Sequence, residues 1–177
     1  DGDRLGVVAK HDGEYVLMSG NQSAAVYLEY ILSELKKQGK LPANAVMYNT
    51  IVTSDLGELV SKSYGVEVEK TLTGFKFIGD KIRKYEKTKE KEFIFGYEES
   101  YGCVVKDFVR DKDAVQAVVM AAEAGNFYKH QGKDLIDVLN ELYAKHGTFK
   151  ESQIALSKAG AEGAKRIKEI MDNLRKD

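Results

Sequence analysis

The spacing of apolar residues along this chain changes several times, and each change marks an element. Leu5 to Lys10 and Tyr15 to Met18 are short β-rich runs on either side of Asp12-Gly13, a pair suited to a tight hairpin turn. The spacing then lengthens to that of a helix from about Gln22 to Lys37, with Ala25, Leu28, Ile31, Leu32 and Leu35 on one face. "QGKLPAN", Gln38 to Asn44, interrupts that period with Gly39 and the single proline, Pro42. A boundary between structural units is therefore expected at about residue 40.

Beyond it, "AVMYNTIV" reads as a buried strand. Ser54 to Gly65 reads as a helix with Ser54 or Asp55 at its N-cap and Gly65 closing it. "VEVEKT" alternates like a strand with one wet face, and "TGFKFIGDKIRKYEK" like a helix with Phe75, Ile78 and Ile82 inward. "EFIFGYE" is a strand and "GCVVKDFV" its partner, followed by helices from about Lys112 to His130 and from Asp134 to Ala144. The tail after Thr148 reads as one further strand and a terminal amphipathic helix. Strands alternating with helices predict an α/β fold, a layered mixed sheet with flanking helices, preceded by a hairpin-helix piece. The expected units are residues 1–40, 41–148 and 149–177.

Composition narrows this only modestly. A chain of 177 residues, 43% hydrophobic and 31% charged, suits one ordinary domain, or one domain with a piece of another. A net charge of -1 gives no broad basic field, so no nucleic-acid partner is expected. No apolar run reaches the length of a membrane span and no signal-peptide pattern opens the chain, so no membrane partner is expected. The one cysteine, Cys103, reads as a small buried hydrophobe in a reducing, cytoplasmic setting. His11, His130 and His146 are scattered without metal-ligand spacing and read as surface residues. The acidic turn opening "DGDRLGVV" has no strand ahead of it, which suggests that an N-terminal portion is missing.

Candidate chemistry concentrates in four stretches. In "DGDR", alternate residues Asp1 and Asp3 project two carboxylates to one side, suiting a hard cation, and Arg4 can hold a phosphate beside it. In "TLTGFKFIG", Thr73-Gly74 lies at a strand-to-helix turn, read equally well as a ligand-facing helix N-terminus or as a plain cap. "EESYG" sets Glu98, Glu99 and Ser100 between glycines, either as acceptors for a polyhydroxylated ligand or as a charged turn. "DFVRDKDA" puts Arg110 and Lys112 at the start of the long helix, where the helix dipole disfavours cations. There they form an anion site or a surface charge cluster offset by Asp111 and Asp113.

Taken in order, DGDRLGV, TGFKFIG, GYEESYG and VRDKDA resemble the α-D-phosphohexomutases, the phosphoglucomutase/phosphomannomutase group, over essentially the whole chain. The resemblance implies a multidomain enzyme that interconverts hexose 1-phosphate and hexose 6-phosphate of glucose or mannose. It further implies a phosphoserine, Mg²⁺, and glucose or mannose 1,6-bisphosphate as intermediate and activator. Asp1 and Asp3 are similar to the last two of three metal-binding aspartates, and Arg4 to the arginine beside the phosphoserine. Thr73 and Gly74 are similar to a substrate-contacting turn. Glu98 and Ser100 match the pair that binds adjacent ring hydroxyls, with Glu99 facing away. Arg110 and Lys112 match a motif whose lysine transfers a proton or stabilises charge. The T-A-S-H-N-P type serine loop of that group does not occur in this sequence, nor does its C-terminal phosphate loop. The resemblance therefore implies the end of domain two, all of domain three and a connection towards domain four. Domains one and four would be missing partners, and this chain alone would be inactive on a hexose phosphate. Two other readings stay open: a haloacid-dehalogenase-like phosphatase built on D-x-D, and a sugar-phosphate binding module that is not an enzyme.

Overall fold

The computed structural model describes residues 2–152 and 155–176. Strands β1 (Val7–His11) and β2 (Glu14–Met18) form the expected antiparallel hairpin. Its turn needs positive φ at both central positions, and Asp12 at 50° and Gly13 at 87° supply it. Helix α1 (Gly20–Lys37) starts ahead of Gln22 because Ser19 and Gln22 form a capping box. The Ser19 hydroxyl accepts from the Gln22 N–H at 3.2 Å, and Gln22 Oε1 accepts from the Ser19 N–H at 2.8 Å.

Strand β3 (Ala45–Thr50), helix α2 (Leu56–Ser63), strand β4 (Glu67–Thr71), helix α3 (Phe75–Thr88), strand β5 (Glu92–Tyr97) and strand β6 (Cys103–Val104) follow. Helices α4 (Ala114–Lys129), α5 (Leu135–His146) and α6 (Gly160–Leu174) complete the order. The sheet runs β4-β3-β5-β6, parallel in its first three strands and antiparallel at β6, so it is mixed as the pattern predicts. Every residue of β3 is buried, the mark of a central strand covered on both faces. Val46 and Tyr48 pack against Phe75, Ile78, Ile82 and Tyr85 of α3. Ala45 and Met47 face the other way, into a core built with α1, α2, α4, α5 and the hairpin.

Strand β5 breaks strict alternation. Val46 pairs with Phe93 but Met47 with Phe95, so Ile94 is an extra residue, a β-bulge. Phe93 packs on the α3 side, whereas Ile94 and Phe95 both enter the opposite core. Alternation resumes one residue out of step: Tyr97 joins the α1 side, and a Cβ on Gly96 would lie 3.1 Å from Ile78 of α3.

Helix α1 packs across the boundary expected at about residue 40, and two histidines are less exposed than expected. Leu28 and Leu32 of α1 are fully buried in one cluster with Met47 of β3, Leu56 of α2 and Phe95 of β5. The elements on either side of residue 40 thus share a core. His11, read as a surface residue, is half-buried, its Nδ1 2.9 Å from Asp134 Oδ2 at the N-cap of α5. His146 also has a buried Nε2 without a hydrogen-bond partner, and burial lowers its pKa. Of the strand expected after Thr148, Gln153 and Ile154 lie outside the described residues, and the neighbouring described residues are neither strand nor helix. Among the described residues no helix is long and apolar enough to cross a membrane.

Leu28→Ala tests whether α1 is integral to the core. A buried leucine truncated to alanine costs about 2–5 kcal/mol. Chemical denaturation should show that loss within one cooperative transition, whereas a separable α1 would give a second transition. The His11–Asp134 contact gives a second expectation. The Asp134 hydrogen bond raises the His11 pKa above 6.5, against the opposing effect of burial and with help from the charges of Asp134, Asp12 and Asp137. A raised folded pKa means a contribution complete below 6.5 and lost as pH rises through the folded value. Melting curves should separate His11→Ala from the parent on the acid side of that window and bring them together on the alkaline side.

Candidate functional site

Three parallel strands end on the same side of the sheet, and the chain leaves β3 first for β4 and then crosses back to β5. The crevice outside carboxyl strand ends at such a reversal is where open α/β sheets bind ligands. The Glu98–Gly102 loop emerges there, directly after β5. Because β5 has slipped by one residue, Glu98 points towards α3. It is 5% exposed, and its Oε1 accepts from the Gly74 N–H at 2.8 Å, at the N-cap of α3. Gly74 adopts φ 119°, which a side chain would strain. Its amide is thus aimed at a carboxylate of this chain. Thr73 is exposed beside it and makes no capping hydrogen bond.

The loop is closed by the Glu98 N–H donating to the Gly102 carbonyl at 2.9 Å and tied to the N-terminal segment by the Leu5 N–H donating to the Tyr101 carbonyl at 3.2 Å. Tyr101 sits at φ 69°, an uncommon conformation for a bulky residue. Gly102 makes room for a neighbour: a Cβ there would lie 2.2 Å from Cδ of Lys112. The Lys112 side chain, 12% exposed, crosses the face of Phe75 with Nζ 5.3 Å from the ring centre. That Nζ lies 2.9 Å from Asp111 Oδ1 and 3.6 Å from Asp3 Oδ1. Burial opposes its charge, but the Asp111 hydrogen bond and the charges of Asp111, Asp3 and Glu98 outweigh it and raise the pKa. In this arrangement Lys112 is a held ammonium, suited to stabilising negative charge.

Asp3, Gly74, Glu98 and Lys112 are therefore one linked cluster. Arg4 joins through Asp3, with Nε 3.5 Å from Asp3 Oδ2. Arg110 does not join it: Nη2 pairs with Glu86 at 2.5 Å. Arg110 and Lys112 line an open groove of about 700 Å³ with Lys76, Arg83, Asp80 and Asp113. Ser100 instead lines a larger cavity of about 1120 Å³ with Arg4, Asn21, Ser54 and Glu99. The helix-start cations are accommodated because Asp113 caps α4, accepting from the Val115 and Gln116 N–H groups.

The Asp1 half of the expected metal pair lies outside the described residues. Asp3 offers hard carboxylate oxygens of the type Mg²⁺ takes, each facing a cation of this chain, Arg4 or Lys112. Among the described residues the one group of three side chains close enough to share an ion is His11, Asp134 and Asp137, away from this loop. Each of those two carboxylates already spends one oxygen in the capping box of α5.

Glu99, expected to face away, has a buried Oε2 with no partner. Sequence reasoning missed other neighbours of the loop: Gly20 touches its backbone. The buried hydroxyl of Tyr97 is unpaired and sits where a Cβ on Gly57 would be, 2.3 Å away. No local pattern signals these, since each arises from elements distant in sequence.

Residues 19–146 match the family model described as phosphoglucomutase/phosphomannomutase, alpha/beta/alpha domain III. The chain belongs to the phosphoglucomutase/phosphomannomutase family. Phosphoglucomutases of Staphylococcus haemolyticus and Staphylococcus epidermidis are 34% and 35% identical to it over its whole length. The chain spans only 31% and 32% of those two relatives. Among solved structures, a phosphoglucomutase/phosphomannomutase family protein of Burkholderia thailandensis shares the fold at TM-score 0.54 and 23% identity, over 80% of this chain and 27% of that one. Membership in this family does not favour the haloacid-dehalogenase reading.

Gly102→Ala tests the Lys112 seat. The obstructing atoms are side-chain carbons of Lys112, Cδ at 2.2 Å and Cγ at 2.7 Å, so rotating that side chain away should let the chain stay folded. NMR of the lysine side-chain nitrogens should then show the Lys112 pKa falling towards its ordinary value as Asp111 and Asp3 are lost. An unmoved pKa would show that Gly102 is not the seat.

Proposed function

We propose that this chain is the sugar-recognition part of a phosphohexomutase that interconverts hexose 1-phosphate and hexose 6-phosphate. One observation carries the reading: a nearly buried carboxylate, Glu98, stands at the switch point of the sheet, braced by the Gly74 amide and beside the Lys112 ammonium. A carboxylate that is fixed through one oxygen can offer the other to ring hydroxyls, and Ser100, two residues on, can donate or accept. Hydroxyl recognition tolerates a sugar bisphosphate bound either way round. Lys112 stabilises the charge of a nearby phosphoryl group, Arg4 positions a second anionic group, and Arg110 and Thr73 border the approach. Preorganised charge of this kind is the main protein contribution to phosphoryl transfer.

Asp1 and Asp3 are proposed to supply carboxylate oxygens for Mg²⁺, which neutralises phosphoryl oxygens when bound. The phosphoserine, the remaining domains and the glucose or mannose 1,6-bisphosphate belong to the proposal as well, as does a cytoplasmic setting. For the domain plan, we propose drawing the unit from Ser19 to His146, since α1 lies in its core and the family model covers those residues. The family model leaves out the hairpin, although Ala9 and Met18 pack into the same core, and residues 149–177 are proposed as the connection towards the next domain.

Two experiments test this reading. This chain alone, supplied with glucose 1-phosphate and a catalytic amount of the bisphosphate in a coupled assay, should show no turnover. Turnover free of host mutase would remove the need for further domains. In the longer protein, Glu98→Gln should lower kcat/KM about ten- to a hundredfold, since a hydrogen bond to a charged group contributes roughly 1.5–3 kcal/mol. Ser100→Ala should cost less, and an unchanged kcat/KM in both variants would leave the loop an ordinary surface turn.

A further inference from the structure

We infer that Gly20, the first residue of α1, is a positioning residue that sets where Ser100 stands relative to Glu98. This rests on the sugar-recognition reading of the loop. Gly20 is buried, and a Cβ on it would lie 2.2 Å from the Glu99 carbonyl oxygen, 2.6 Å from the Tyr101 nitrogen and 2.9 Å from the Glu99 carbonyl carbon. All three are backbone atoms, so no side-chain rotation relieves the contact. Either the helix or the loop has to move.

The helix is the more firmly held of the two. Its first turn is closed by the Ser19–Gln22 capping box, and Asn21, 6% exposed, accepts from the Ser54 N–H at 3.3 Å. Among the described residues the loop is hydrogen-bonded near its ends. Glu98 is held by Gly74 and by the closing bond to Gly102, and Tyr101 by Leu5. Pressure at Glu99 and Tyr101 therefore displaces the residue between them, Ser100. Tyr101 at φ 69° leaves the segment little conformational slack. Glu98, anchored separately, stays. Two hydroxyl-binding groups that must act together thus have independent supports, and Gly20 is the one under Ser100. Alanine is intrinsically the better residue inside a helix, so any loss on Gly20→Ala reflects the loop.

The test compares the 177-residue chain with its Gly20→Ala variant by amide NMR, without ligand and then titrated with glucose 1-phosphate. Without ligand, the shifts that change should centre on Glu99 to Tyr101, with the Gly74 amide unmoved. On titration, Gly20→Ala should weaken binding about two- to tenfold, the loss of one neutral hydrogen bond. Ser100→Ala should weaken it similarly, and the double variant no more than either alone, because both remove the same interaction. If Glu98→Gln weakens binding while Gly20→Ala leaves both affinity and the shifts of residues 99 to 101 unchanged, the inference is overturned and the reading of the loop stands. Binding indifferent to Glu98→Gln and Ser100→Ala, or no saturable binding by this chain and by the longer protein alike, overturns the reading and the inference with it. Should Gly20→Ala not fold, adding Tyr101→Gly, which frees the loop at its positive φ, should restore folding without restoring affinity. Failure to fold even then would also overturn it.

Discussion

The position of the extra residue in β5 decides which way the site faces. Strict alternation from Phe93 would put Glu98 on the α1 side of the sheet, away from Gly74. Ile94 takes up one position without a partner, and every later side chain changes face: Tyr97 goes into the large core and Glu98 turns to the start of α3. A slip of one residue in a strand exchanges its two faces. Here the bulge limits that exchange to the end of one strand, leaving β3 and its two cores in place. The same end of β5 carries Gly96, whose missing side chain admits Ile78, so α3 can approach closely enough for its N-cap amide to reach Glu98.

Much of the architecture was legible because local and global preferences agree. The hairpin turn at Asp12-Gly13, the inward face of α3 and the existence of α4 and α5 follow from residue type and spacing alone. The boundary expected at residue 40 shows where that logic stops. Gly39 and Pro42 end a helix equally well between two domains or inside one, and the packing of Leu28 and Leu32 with Met47 and Phe95 joins elements that no local pattern connects. His11 shows the same limit, since its partner Asp134 is more than a hundred residues away.

Within the site, residue identities were legible and their partnerships were not. Glu98, Ser100, Lys112 and Asp3 stand out as polar groups in glycine-rich or acidic stretches. Nothing in the sequence says that the Gly74 amide is committed to Glu98, that Lys112 lies in the space left by Gly102, or that Arg110 is turned aside to Glu86. Ser100 lines a cavity with Arg4 and Glu99, whereas Glu98, two residues earlier, is turned to the Gly74 amide. These are consequences of packing between α1, α3, the loop and the start of α4, and such relations are invisible to any window along the chain.

Strand β4 has one free edge, because the sheet ends with it. Its Glu67 and Glu69 were read as a wet face, but they are engaged: Glu69 binds Lys81, Lys91 and the Tyr85 hydroxyl, and Glu67 binds Lys91. Burial works against the Glu69 charge, yet these hydrogen bonds hold its pKa down at about 2. An open strand edge is a template on which another extended chain can pair and begin an aggregate. Any strand added beside β4 would have to align against the paired Glu67 and Glu69 carboxylates, of which Glu69 stays ionised well into acid. The edge is thereby closed to its own kind, and crowding or mild acidification should not turn this domain into fibres by that route.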